Sequence, residues 1–172
     1  MGISAAYAAE AGKMEKDEHK MPPPYVGSAE LQKVKSLAGK WEGPSPDMPG
    51  GKINLDYKVT SNGSVVVETI MPGTPMEMIS IYRDNKEGKL TMTHYCAMGN
   101  QPHMKLDPRA SKDDTLVFAF DGGTNFDPKK DGHIHQGNIR FVGENRLDGA
   151  WSYWMNGREA GKKVFSLTRK AR

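Results

Sequence analysis

One cysteine, Cys96, stands alone in a chain of 172 residues. An intramolecular disulfide is therefore excluded, and cysteine usage carries no information on redox compartment. No apolar run approaches the ~20 residues that a membrane-spanning helix needs, so no transmembrane segment is expected. A phosphate-cradling glycine pattern and internal repeats are missing too. Charge of one sign is also missing: 24 Lys and Arg stand against 21 Asp and Glu, for a net charge of +3. The two signs are interspersed, as on an ordinary solvated surface. Nucleic-acid binding usually needs clustered Lys and Arg, so no nucleic-acid partner is expected. Hydrophobic residues make up 37% of the chain, enough for one core at a length that most simply makes one domain, about 100–200 residues.

What is abundant is turn chemistry, with 19 glycines and 11 prolines. Residues 1–27 read as a flexible leader, of which 9–27 are charged, have no apolar period and turn proline-rich at Met21-Pro22-Pro23-Pro24. Within it, Ala6-Tyr7-Ala8 has the small-residue pattern that ends a secretory signal, although a charged n-region and a long apolar h-region are lacking. As a signal remnant the stretch implies a periplasmic or secreted protein. As an Ala-rich tail it leaves the protein cytoplasmic. Residues 28–172 read as one domain. Ser28 has the character of a helix N-cap with Glu30 in the first turn. Leu31, Val34 and Leu37 follow at helical spacing and Gly39 ends the run, which predicts one short helix over 29–38.

Beyond Gly39 the apolar period becomes two. "KINLDYKV" places Ile53, Leu55, Tyr57 and Val59 on one face, and "GSVVVETIM" follows a Ser61-Asn62-Gly63 turn. "MEMISIYR", "KLTMTHYC", "HMKL", "TLVFAF", "HIHQGNIRFV", "RLDGAWSYWM" and "KKVFSLTRK" continue the pattern, and Asn156-Gly157 joins the last two. With "KWEG" this gives 8–10 strands joined by short turns, hence an antiparallel up-and-down meander. A sheet of that many strands usually curls or closes, which removes its edges.

The segment "LAGKWEG", a short helix running into Gly39-Lys40-Trp41, resembles the Gly-x-Trp opening of the lipocalin and fatty-acid-binding (calycin) barrels. The resemblance implies a calycin-like barrel in which Trp41 packs near the closed end against a base on the last strand, Arg169 or Lys170. Over residues 36–170 the chain is similar to a group of bacterial lipocalin-like proteins, which implies a fold and no particular activity. Nitrobindin, a haem-binding relative, shares the opening only, so haem is not implied by it.

Residues two apart in a strand share a face. Leu90, Met92, His94 and Cys96 therefore share one, expected to be inward. His133, His135, Gly137, Ile139 and Phe141 share another, also expected to be inward, whereas His103 is expected on the rim. Convergence of His94, Cys96, His133 and His135 would suit zinc or copper. The competing reading is a set of hydrogen-bonded groups lining an organic-ligand pocket. The methionines fit core filling better than copper binding. The favoured reading is a barrel that binds a small, mainly apolar ligand, with Met92, His94, Cys96, His133, His135, Phe141, Trp151 and Tyr153 as lining. The alternative is a metal- or haem-binding barrel built on the His/Cys set, with redox or hydrolytic activity.

Overall fold

The computed structural model describes residues 21–171. One helix, α1 (Ala29–Lys35), precedes ten strands: β1 (Gly39–Pro44), β2 (Lys52–Thr60), β3 (Val65–Ile70), β4 (Met78–Asp84), β5 (Leu90–Tyr95), β6 (Gln101–Leu106), β7 (Thr115–Thr124), β8 (His133–Val142), β9 (Arg146–Met155) and β10 (Arg158–Arg169). Each strand pairs antiparallel with the next, and β1 pairs with β10, so the sheet closes on itself. Closure leaves no unpaired edge. The fold is thus the all-β, up-and-down antiparallel barrel with one short N-terminal helix that the alternation predicts.

Helix α1 is shorter than expected. Ser28 caps it, its Oγ accepting from Leu31 N at 3.0 Å, and Asp84 fixes the cap by accepting from Ser28 N and Oγ, each at 2.7 Å. At the other end the chain passes through Gly39 at φ +124°, a conformation that side-chain-bearing residues rarely adopt. Leu31, Val34 and Leu37 are buried against the barrel.

Trp41 closes this end. It is 1% exposed, its Nε1 donates to Leu37 O at 2.8 Å, and the Arg169 guanidinium lies 4.3 Å from its ring centroid. Pairing of Trp41 with Arg169 across the β1–β10 seam sets this contact. The same guanidinium donates to Ala38 O at 2.7 Å, Ser36 O at 2.9 Å and Glu144 O at 3.1 Å. One planar fork therefore satisfies carbonyls after the helix and ties them to the β8–β9 turn. Arg169→Lys keeps the charge but not the fork, and is expected to lower stability by roughly 1–2 kcal/mol, read by urea denaturation.

The expected leader divides. Residues 1–20, with the Ala6-Tyr7-Ala8 stretch, lie outside the described residues. Residues 22–26 are held on the barrel: Asn62 Nδ2 donates to Pro22 O and Pro23 O, and Tyr25 N donates to Asn62 O at 2.8 Å. Lys35 Nζ donates to Tyr25 O and Val26 O. The prolines offer carbonyls without competing amides, and Tyr25 adds one amide donor, so the contact is made by backbone polar groups that an apolar pattern does not reveal.

Candidate functional site

Inward side chains divide the barrel into two halves. Toward α1 the interior is filled, with Val66, Tyr82, Leu90, Met104, Leu116, Phe118, Ile139, Leu147 and Leu167 all buried. Toward the other end a cavity of about 240 Å³ remains. Its walls are mostly apolar: Ile53, Leu55, Ile70, Met78, Met92, Ile134, Trp151 and Phe165. Gly137 shapes one wall, since a Cβ there would collide with the Trp151 indole that lies across its backbone. At the mouth, Lys163 pairs with Asp47.

The polar end of the cavity is built by three adjacent strands. Pairing sets Glu68 of β3 opposite Ser80 of β4, and Ser80 opposite His94 of β5. All three side chains are buried and line the cavity. Tyr57 OH donates to Glu68 Oε1 at 2.6 Å and Tyr82 OH donates to Oε2 at 2.9 Å. Ser80 Oγ lies 3.1 Å from His94 Nδ1. Burial pushes the Glu68 carboxyl up from the usual carboxylate range, opposed by hydrogen bonds from Tyr57, Tyr82 and Ser80. Burial and the neighbouring carboxylate push both tyrosines well above their ordinary value, so each remains a hydroxyl donor.

Burial lowers His94 from 6.5 to about 4, so the imidazole is neutral near pH 7. The unfolded chain binds this proton near 6.5 and the folded chain only near 4. Stability from His94 is therefore full above 6.5 and lost as pH falls through that window, by about 3 kcal/mol at most. Glu68 acts with the opposite sign: a raised carboxyl contributes below its unfolded value of 4.5 and loses that contribution as pH rises. Urea denaturation of wild type and His94→Gln between pH 7 and 4 isolates the histidine. Their stability difference should shift by about 3 kcal/mol against the wild type as the pH falls. A pH-independent difference would mean that His94 is not held neutral.

Of the residues expected to line the site, Met92, His94, Cys96, Trp151 and Tyr153 do so. His133, His135 and Phe141 do not. Phe141 lines a different pocket, at the helix end with Trp41 and Arg169. The histidine strand is misplaced by one residue because of an irregularity. Ile134 pairs with Tyr153 and Gln136 with Ser152, leaving His135 as the extra residue of a bulge. A bulge shifts a period-two pattern by one. Ile134, not His133, thus shares the cavity face with Gly137, and His133 stands opposite Trp154.

The two histidines belong to a separate aromatic stack beyond Ala119 and Gln136, where the β7–β8 pairing ends. His133 Nε2 is 3.1 Å from His135 Nδ1, and His133 Nδ1 is 3.0 Å from Asp131 O. His135 stacks on Trp154 at 3.8 Å, and Phe120 packs on both imidazoles. The four-residue His/Cys metal site is therefore not formed. Among the described residues no group of three or more His, Cys, Asp or Glu is arranged to hold a metal ion. Cys96 Sγ instead meets Met78 Sδ at 4.0 Å. His103, opposite Thr93, is absent from the cavity lining.

Among the cavity's buried polar groups, Glu68 and Ser80 were not among the expected lining residues. Glu68 carried a usable signal, since it alternates with Val66 and Ile70 and so places a carboxylate on an apolar face. No protein-family model matches this chain, and no curated protein matches it in sequence.

Proposed function

We propose that the protein binds one small, mainly apolar molecule in the barrel cavity, and that it is a lipocalin-like barrel of the calycin kind. The observation that carries the reading is the combination of a mostly apolar lining with one cluster of fixed polar groups, Glu68, Ser80 and His94. Binding sites for small molecules have this composition, an apolar enclosure with a few placed polar groups. A volume of about 240 Å³ falls just below the ~300–1,000 Å³ of drug-sized sites, which favours a compact ligand. The short helix before Gly39-Lys40-Trp41 and the Trp41–Arg169 contact support the calycin reading.

Catalysis is not part of the proposal. Ser80 and His94 are in hydrogen-bond reach, but the pairing sets Glu68 opposite Ser80, on the strand away from His94. In a nucleophilic triad the acid orients the histidine. The test is a plugged cavity. Ile134→Trp should retain the β-rich circular dichroism spectrum and abolish saturable binding of naphthalene measured by calorimetry. Equal binding by wild type and Ile134→Trp, or none by either, would remove the reading.

A further inference from the structure

We propose, building on the cavity-binding reading above, that the ligand is a small amine held as an ammonium ion, its apolar body between Trp151 and Phe165 and its head group against Glu68. Glu68 is 6% exposed and lines the cavity, yet the groups that hydrogen-bond to it are the hydroxyls of Tyr57, Tyr82 and Ser80, and no described cation pairs with it. The groups facing it are Tyr57 on β2, Tyr82 and Ser80 on β4, and His94 beyond Ser80 on β5. The lysine at the cavity mouth, Lys163, is paired with Asp47. A carboxylate taken out of water needs an opposite charge or hydrogen bonds enough to replace its hydration.

The two tyrosines satisfy one site on each oxygen and Ser80 at most one more, whereas a carboxylate has about four lone-pair sites. They act as fixed donors, so they orient the carboxylate without neutralising it. The remaining capacity is met by a ligand that brings donors and positive charge together. An ammonium carries three donors and no acceptor. It matches a site whose cavity-facing groups are the Glu68 carboxylate, the Ser80 hydroxyl and a neutral His94 ring with Nδ1 already engaged by Ser80. Trp151 and Phe165 add faces on which a cation or its aromatic body is stabilised. A carboxylate ligand would be repelled by Glu68, and an alcohol would bring one donor and no charge.

The test is calorimetry on the full chain at pH 7 with 2-phenylethylamine, 2-phenylethanol and phenylacetate, three ligands of nearly one shape. The amine should bind at least tenfold more tightly than the alcohol, with phenylacetate weakest. Glu68→Gln should bring the amine to the level of the alcohol and leave the alcohol within a few-fold of its wild-type affinity. Should Glu68→Gln not fold, wild type alone decides. An alcohol that equals the amine, or a preference that survives Glu68→Gln, would overturn the amine assignment. If naphthalene binds but none of the three does, the amine assignment also falls and the cavity reading stands. If naphthalene fails as well, the cavity reading fails beneath it.

Discussion

Trp41→Ala is expected to lower stability by about 3–5 kcal/mol, the usual range for emptying a large buried aromatic site. At this chain length that corresponds to a fall of roughly 6–20 °C in the unfolding midpoint. Three losses combine. The indole is 1% exposed and belongs to the barrel's buried apolar cluster. Its Nε1–H satisfies Leu37 O, a carbonyl just past the helix. Its face also receives the Arg169 guanidinium, a contact worth about 0.5–2 kcal/mol. Trp41→Phe should retain most of the packing and lose the hydrogen bond, so it should lie between alanine and wild type. Thermal unfolding followed by circular dichroism measures all three proteins. A Trp41→Ala midpoint within two or three degrees of wild type would contradict the assignment of this end as the barrel's closed and packed half.

The second large effect lies at Glu68. Glu68→Leu is expected to cost roughly 2–6 kcal/mol, because Tyr57 and Tyr82 each lose a buried acceptor and an unmet buried donor costs about 1–3 kcal/mol. The change removes a desolvated carboxyl at the same time, so the loss measures the stranded hydroxyls and not the value of the acid. Adding Tyr57→Phe and Tyr82→Phe to Glu68→Leu should therefore restore most of the lost stability, since replacing all partners by apolar groups is nearly neutral. Additive single effects, with no recovery in the triple variant, would show that the three side chains do not form one hydrogen-bonded unit. Urea denaturation at pH 7 gives the comparison.

How much of this was legible in the sequence varies by element. The barrel was readable because most strands alternate cleanly: Leu90, Met92 and His94 face in, and Thr91 and Thr93 face away, as the period-two rule requires. Trp41 and Arg169 were readable as a pair because a short helix, a Gly-x-Trp segment and a basic last strand occur in that order. The His133–His135 strand was not. Its bulge lies inside an otherwise regular apolar pattern, where a single inserted residue leaves no mark in composition. Phe141 failed differently. Its face was inward, but its height along the barrel depends on strand stagger, which alternation does not encode. A carboxylate between Val66 and Ile70 conflicts with its local pattern, and such conflicts tend to fall at functional positions.

The most direct test of a ligand site inside this barrel is methyl NMR of the methionines during a titration with naphthalene. Met78 and Met92 line the cavity, Met104 is buried, and Met98 and Met155 are exposed. The cavity account predicts saturable shifts of the Met78 and Met92 methyl signals, little change at Met98 and Met155, and loss of all shifts in Ile134→Trp. Shifts confined to Met98 and Met155, or no saturable shift at Met78 and Met92, would contradict it.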